Sequence, residues 1–492
     1  MLVSRGMLAS ETMTRSGSAA PRLASPLESL TGLAVFALTL SLGAWSLNDP
    51  DTYSEIAIGR WILAHHAVPH HEVFSYTMEG APWIVHEWLA DAGIAVVYDQ
   101  FGWAGVVVAA ALAFAATIML LLRALLRYLE PSYALIGAFS AWGLILPHSL
   151  ARPHLFAMPI LAAWIAMLVA ARAAERAPSP WWTLLMVPWA NLHGGFVLGD
   201  VLILMFAGEM VLDQPDWAGL RRQAFAWTLF LVLSVLAGCL TPNGVGLLLL
   251  PFRLMTMDTV MASITEWQSP NFQTAQPLEP WLLLALLGVL TFGVKLPVTR
   301  VAMLLALLHE TLLHQRFAEA LGLATPLIVA SPLAPQLPSL TATVWGVRFA
   351  RLARPSRGGT ALTAAVAFGL AVVLVCVGVR HDSGRFAPAA AVAYAGQHGI
   401  SGPIFNASNF GGYLMFCGIA PFIDSRAELY GDAFTKRAKD IAALPGILTQ
   451  YHVAWTLLEP KDPRAAMLDE LTGWKRVYAD DLAIIHIRDT AP

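Results

Sequence analysis

The feature that most constrains this chain is a succession of apolar runs, each long enough to cross about 30 Å of hydrocarbon with roughly 20 helical residues. About eleven can be read by that criterion, near residues 30–48, 103–127, 131–150, 153–172, 180–192, 195–212, 223–240, 280–296, 298–313, 317–332 and 360–379. Because a bilayer offers the backbone no water to bond with, such runs must fold as helices. Composition agrees: of 492 residues 57% are hydrophobic and only 13% charged, against about 25% charged in a soluble domain. The expected fold is therefore a polytopic α-helical membrane protein. A formal net charge of -3 leaves no basic surplus for a phosphate backbone and argues against a nucleic-acid partner. The cysteines Cys239, Cys376 and Cys417 lie far apart and open no Cys-x-x-Cys pair. Neither a zinc ribbon nor a disulfide framework is expected, and helix packing must hold the fold.

Two of the runs, 180–192 and 195–212, are short and separated by Asn191-Leu192-His193-Gly194-Gly195, so they read either as full spans or as half-helices dipping into the membrane. Orientation follows from the positive charges in short loops. Arg5, Arg15, Arg22, Arg123, Arg127, Arg172, Arg176, Arg221, Arg222, Lys295, Arg300, Arg348, Arg351, Arg354 and Arg357 fall on alternate loops, which the rule makes cytoplasmic. The opposite loops hold little beyond Arg60, Arg152, Arg253 and Arg316. A cytoplasmic tail of residues 1–29 and an odd number of spans place residues 381–492 outside, in the periplasm of a Gram-negative cell whose inner membrane holds the chain. All 14 histidines lie in or beside segments assigned to that outer face. The first run also admits a reading as a secretory signal, against which stand its length and the lack of an Ala-x-Ala site before Asn48.

From about residue 385 short apolar strands alternate with helical stretches, the pattern of a small α/β domain. Strands are expected at Pro403 to Asn406, Pro421 to Asp424, Val453 to Leu458 and Leu482 to Ile487, and helices at Gly431 to Leu444 and Pro463 to Leu471. Gly411-Gly412-Tyr413 and Asp424-Ser425-Arg426 stand out. The glycines allow a close approach of two elements and Asp424 can pair with Arg426 locally; a ligand role is the other reading.

The outer loop 49–102 carries the strongest chemical signal. It opens Asn48-Asp49-Pro50-Asp51-Thr52-Tyr53-Ser54-Glu55, so three carboxylates gather at one membrane interface, where charge is costly unless hydrated or used. A helix from Thr52 would put Asp51 and Glu55 one turn apart on a shared face, while Pro50 favours an extended Asp49 that aims its carboxylate separately. Helix capping by Asp51 is the competing explanation. Further along come His65-His66, His70-His71-Glu72, Trp83 and His86-Glu87-Trp88-Leu89-Ala90-Asp91. Pro69 interrupts His66 and His70, and Ala90 stands where a zincin motif needs a second histidine, so no metal site is expected. His86 and Glu87 read as polar groups returning toward Asp49 and Asp51.

The acid pair after the first span, followed by Tyr53, Glu55 and Ile56, resembles the first periplasmic loop of the GT-C class of membrane glycosyltransferases, such as the protein O-mannosyltransferases and the lipid A aminoarabinose transferases. In those the leading aspartate is catalytic, which the resemblance carries to Asp49, with Asp51 the second acid; the family's two acids are usually adjacent, whereas Pro50 separates them here. The chain is also similar to a group of bacterial membrane proteins that share Gly59-Arg60-Trp61-Ile62-Leu63, the His86 and Asn191 stretches and the Gly411 and Asp424 sites. The resemblance implies inverting transfer of a sugar from a polyprenyl-phosphate donor to a lipid, glycan or protein acceptor on the outer face; no cofactor is indicated, and a divalent metal stays open.

That chemistry needs a carboxylate to take the acceptor proton and donors to stabilise the leaving phosphate. Asp49, Asp51 and Glu55 suit the first task. For substrate contacts the candidates are Arg60, His86, Glu87, Arg152, His154, Asn191, His193, Glu266, His314 and Arg316. Arg152 and Arg316 lead for phosphate, since guanidinium binds it bidentately and stays charged. Arg152 is equally explained as an interfacial anchor, His193 as a helix-break partner, and Arg316 as paired with Glu310 or Glu319. Trp83 and Trp267 are candidates to stack on a sugar, and the loop Thr241 to Pro280 is long enough to cover a site. A secondary transporter is the alternative for broken helices and polar groups in a membrane, and a non-catalytic assembly protein of envelope polysaccharide synthesis is the third. Against transport stand the missing internal repeat and the gathering of polar groups at the outer interface.

Overall fold

The computed structural model describes residues 24–214, 216–379, 381 and 385–489; Arg5, Arg15 and Arg22 lie outside them. Every apolar run is helical. The main helices are Pro26–Ser41, Trp88–Leu125, Pro131–Ile145, Pro153–Ala173, Val197–Asp213, Trp217–Gly238, Leu278–Phe292, Val298–Leu313, Ala318–Leu333 and Arg357–Val377. Among the described residues six helical stretches are long and apolar enough to cross a membrane by themselves: Trp88–Leu125, Pro153–Ala173, Gly194–Asp213, Trp217–Gly238, Gln315–Gln336 and Arg357–Val377. The chain is thus a multi-pass membrane protein, in which the remaining apolar segments are shorter helices. The pair around His193 resolves unequally. Gly194–Asp213 has spanning length, while 180–192 is a 3-10 turn, Pro180–Leu185, running into the short helix Met186–Leu192.

Local chemistry sets where these helices begin. Pro26, Pro131 and Pro153 occupy first-turn positions, where the missing N–H costs nothing. Ser25 and Glu28 form a reciprocal capping box ahead of the first helix. Trp164, Trp189, Trp227, Phe114, Phe206 and Phe230 are fully enclosed between helices. Leu287, Leu290 and Phe292 on one helix, and Leu362, Phe368 and Val377 on another, stand exposed as lipid-facing side chains do.

In the loop 49–102 two helical stretches flank an irregular one. Asp51–His65 is a helix, as the acid spacing predicted, residues 66–87 are irregular, and Trp88 already opens the next helix. That helix is interrupted at Gly102, whose φ of 61° and ψ of -157° only glycine adopts readily, so residues 88–101 form a separate helical segment. The segment 241–280 is likewise structured, with helices Val245–Leu254 and Asp258–Ser263 and a 3-10 turn Thr265–Trp267.

The C-terminal domain is α/β. Its sheet has the order β1-β2-β4-β3, with β1 Ile404–Asn406 parallel to β2 Trp455–Leu458, and β4 Ile484–Arg488 antiparallel to both β2 and β3 Trp474–Ala479. Phe405, Phe410, Trp455, Leu457 and Ile485 form a core separate from that of the spans. Two expectations need correction. Pro421 to Asp424 forms no strand: the Asn406 amide accepts from Phe422 N–H at 2.8 Å and donates to the Ile423 carbonyl at 2.7 Å, so a side chain takes the bonds a neighbouring strand would have made. The helix expected from Gly431 to Leu444 is Ala427–Lys439, broken at Gly431 by a φ of 67°.

Candidate functional site

Arg152 precedes Pro153, and a residue before proline is pushed out of helical geometry. It is extended, with φ -123° and ψ 161°, so its side chain leaves the helix start laterally. The turn carrying it is tied to the acidic loop by Ala151 N–H donating to the Ser46 carbonyl at 2.7 Å. The guanidinium then meets three acids from two segments: Asp51 at 2.6 Å, Glu266 at 2.6 Å and, more loosely, Asp49 at 3.5 Å. Asp49 also accepts from the Asp51 N–H at 2.8 Å.

These carboxylates differ electrostatically. Burial pushes Asp49 up to about 7 against the pull of Arg152, with the Asp51 charge adding to the rise. Burial works in the same direction on Glu266, but the Arg152 and Arg316 guanidiniums outweigh it and hold its carboxyl at about 2. Glu55 is buried and raised well above the ordinary range, first by burial and then by Asp91 and Glu87. One oxygen of Asp51 and one of Glu55 are buried without a hydrogen-bond partner among the described residues. The site therefore holds acceptor positions that no protein donor fills.

A second tier of histidines and acids adjoins the first. His193 caps its own turn, its Nδ1 accepting from the Gly195 N–H at 3.0 Å, which turns Nε2 toward Glu87 at 3.5 Å. Burial, and behind it Arg316, hold that imidazole neutral. His86 lies 3.6 Å from the same carboxylate. His154 Nε2 donates to the His148 carbonyl at 2.9 Å and stands 3.4 Å from Glu319, which is 3.8 Å from His148. Asn191 accepts from Trp88 Nε1 at 2.6 Å and donates to the Val187 and Leu240 carbonyls, stitching the short helix into place. His314 Nδ1 donates to the Trp267 carbonyl at 2.6 Å. Among the described residues Arg316 has no direct ion pair with Glu310 or Glu319; its guanidinium lies 4.6 Å over the Trp267 ring.

The fold thus gathers Asp49, Asp51, Glu55, His86, Glu87, Arg152, His154, Asn191, His193, Glu266, His314 and Arg316, which come from distant parts of the sequence. Arg60 is elsewhere: it pairs with Asp99 at 2.6 Å, is partly exposed, and lies against Tyr98 and Phe416. Trp83 is only 4% exposed and carries Arg426 over its ring at 4.4 Å, so it has no face left for a sugar. Sequence reasoning gave His148 and Glu319 no place beside His154. The sole signal for Glu319 was its spacing from Arg316, which pointed to the wrong partner. Among the described residues no three His, Cys, Asp or Glu side chains converge as a metal-binding group.

The C-terminal domain closes against this region. Gly412, in the helix Ser408–Phe416, lies on the acidic loop, where a β-carbon would stand 2.5 Å from the Pro50 carbonyl oxygen and 3.3 Å from the Ser54 nitrogen. Arg426 reaches Asp424 within its own turn and, across the interface, Glu72 in a bidentate pair at 2.6 and 3.0 Å. Ser75, Tyr76 and Thr77 donate to the Pro421, Ile404 and Phe422 carbonyls. The Asp432 carboxylate accepts from the Thr259 and Val260 N–H groups, holding the segment that delivers Glu266.

No protein-family profile and no curated protein matches the sequence. Solved structures do. The oligosaccharyltransferase AglB from Archaeoglobus fulgidus, in complex with an inhibitory peptide and a dolichol-phosphate, superposes with a TM-score of 0.51 over 87% of this chain and 69% of its own, at 10% identity. ArnT from Cupriavidus metallidurans, bound to undecaprenyl phosphate, gives a TM-score of 0.50 over 93% of this chain and 97% of its own, at 14% identity. In fold the chain is similar to these two proteins. At these identities the likeness is one of fold.

Proposed function

We propose that the protein transfers a sugar from a polyprenyl-phosphate donor to an acceptor hydroxyl or amine on the outer face of a bacterial inner membrane, with Asp49 as the general base. The observation that carries this reading is the contrast among the three acids around Arg152. Asp51 and Glu266 each hold a guanidinium nitrogen at 2.6 Å, whereas Asp49 is buried, loosely held and poised near pH 7. A base works best with its pKa near the operating pH. The GT-C fold, shared with proteins solved bound to dolichol-phosphate and undecaprenyl phosphate, agrees with a lipid-linked donor.

In this mechanism the acceptor O–H or N–H attacks the anomeric carbon as its proton passes to Asp49. The bond from anomeric carbon to phosphate oxygen breaks with inversion, and its electron pair stays on the departing polyprenyl phosphate. Arg316 receives that phosphate, its guanidinium 4.6 Å over the Trp267 ring and, among the described residues, in no ion pair with an acid, while His314 packs against the same ring. Arg152 balances the acids and holds Asp51 and Glu266 in place, while the open oxygens of Asp51 and Glu55 accept from sugar or acceptor hydroxyls. The C-terminal domain, which we place in the periplasm, secures the loop that carries Asp49.

The test is to incubate the purified protein in lipid vesicles with a panel of polyprenyl-phosphate sugars and candidate acceptors, and to measure free polyprenyl phosphate and glycosylated product together. Stoichiometric appearance of both supports transfer. Movement of an unmodified solute across the vesicle membrane with no bond broken would support transport instead.

A further inference from the structure

A cleft of about 680 Å³ lies where the helix Trp88–Leu125 begins, the helix Met186–Leu192 ends and the chain leaves the helix Trp217–Gly238. That volume is in the range of pockets that take small ligands, roughly 300–1,000 Å³. Its lining is mainly hydrocarbon, from Trp88, Leu89, Val187, Pro188 and Leu240. Leu89 and Leu240 are 36% and 65% exposed, so the lips are apolar, and they stand at the end of a helix of spanning length. The Asn191 amide in the lining is fully used by Trp88 Nε1 and by the Val187 and Leu240 carbonyls. The Thr241 hydroxyl, also in the lining, is buried and has no hydrogen-bond partner among the described residues. An unpaired buried hydroxyl and an exposed apolar recess are each costly. One amphiphile answers both, with a chain along the leucines and a polar atom on Thr241.

The cleft adjoins the acidic cluster. Trp88 follows Glu87, Asn191 stands two residues before His193, and Glu87 and His193 lie 3.5 Å apart. Arg152 opens the helix Pro153–Ala173, which packs against Met186–Leu192 and also against Ala318–Leu333. The first of these neighbours lines the cleft. The second carries the other station: the turns that hold Trp267 and Arg316, assigned above to the departing phosphate, pack on each other, and the Arg316 turn packs on Ala318–Leu333. Cleft and phosphate position are therefore reached from different neighbours of the Arg152 helix. In a displacement with inversion the acceptor attacks from the face opposite the leaving group. An acceptor arriving through the cleft meets that requirement.

We propose that the acceptor is a membrane lipid, its hydrocarbon along Leu89, Val187 and Leu240 and its polar head bonded to Thr241, so that a head-group hydroxyl or amine is presented toward the acids. This rests on the transfer reading above and narrows it, since a soluble glycan or a protein brings no chain to the cleft. The bond made joins the lipid's oxygen or nitrogen to the anomeric carbon, the bond broken is from that carbon to the phosphate oxygen, and the proton passes to Asp49.

Cys239 lines the cleft, and with the exposed Cys376→Ser and Cys417→Ser changes it is the sole thiol of the chain. The experiment places this full-length protein in nanodiscs and times the modification of Cys239 by N-ethylmaleimide in the presence of dodecyl glucoside or of glucose. Transfer from a polyprenyl-phosphate sugar to each compound is measured alongside. Dodecyl glucoside should slow modification about tenfold where glucose does not, and kcat/KM for transfer to it should be higher by about tenfold or more. Leu89→Trp with Leu240→Trp narrows the mouth at exposed positions, so the protein is expected to fold, and KM for dodecyl glucoside should rise about tenfold with a smaller change in kcat. Equal protection by the two compounds, or equal transfer to them, would overturn the proposal. Protection by polyprenyl phosphate but not by dodecyl glucoside would give the cleft to the donor and overturn it as well. Protection by dodecyl glucoside in a protein that cleaves no donor would uphold the lipid in the cleft and overturn the transfer reading instead.

Discussion

Gly412 of the C-terminal domain packs so tightly on Pro50 that a β-carbon there would come within 2.5 Å of the Pro50 carbonyl oxygen. Pro50 lies between the two leading acids, so the backbone that aims Asp49 rests on a helix from a different domain. Gly412→Ala must therefore displace that loop. We expect turnover to fall by about tenfold or more, the loss typical of small displacements in a catalytic group. Gly396→Ala, in a helix of the same domain with open space around its α-carbon, should leave turnover unchanged. Measuring product formation in the two variants, with a thermal melt of each, checks this.

Arg426 ties the same interface by charge. It lies buried between Asp424 and Glu72, and Tyr430 donates at 2.8 Å to the Asp424 oxygen that Arg426 Nη2 also bonds. Removing one partner of a buried pair strands the others, at a cost of about 3–5 kcal/mol. Arg426→Gln should show as a lowered thermal midpoint and faster proteolysis between the domains. An unchanged midpoint would mean that the interface does not depend on this pair.

The pH dependence follows from Asp49. A base with a pKa of about 7 is active only when ionised, so kcat/KM should rise about tenfold per pH unit below that value and level off above it. The Glu266 charge raises Asp49 and the Arg152 charge lowers it. Glu266→Gln should therefore move the inflection to lower pH and Arg152→Gln to higher pH. A pH–rate profile of the three proteins gives the signs directly.

We assign Arg316 to the leaving phosphate because its guanidinium lies 4.6 Å over the Trp267 ring and, among the described residues, forms no direct ion pair with its helix neighbours. Arg316→Lys keeps the charge but loses the planar fork. We expect kcat to fall by about tenfold with a smaller change in KM, since the phosphate charge grows in the transition state. A change confined to KM would mean that Arg316 only helps bind the donor.

Much of this arrangement was legible in the sequence, for physical reasons that differ by element. Membrane helices announce themselves through length and apolarity, so each expected run is helical. The Asp51–Glu55 spacing pointed to a helix where Asp51–His65 is one, and local pairing of Asp424 with Arg426 was one of two readings. What local pattern does not encode is which charged groups meet across the chain. Arg152 and Glu266 are 114 residues apart, and Glu319 turned to two histidines instead of Arg316. The segment at Pro421 read as a strand because it is a short apolar stretch, while the Asn406 amide that replaces its ladder bonds carries no periodic signal. Arg60, prominent in the motif Gly59-Arg60-Trp61, pairs with Asp99 away from the acids.

The most direct test of the central claim compares Asp49→Asn with Asp51→Asn in the release of polyprenyl phosphate from a donor the wild-type protein accepts, in lipid and with acceptor present. The account predicts that Asp49→Asn loses about 10²–10⁴-fold in rate while still binding donor, and that Asp51→Asn, which leaves the base in place, loses far less. Wild-type release from Asp49→Asn would contradict the assignment of Asp49 as the base.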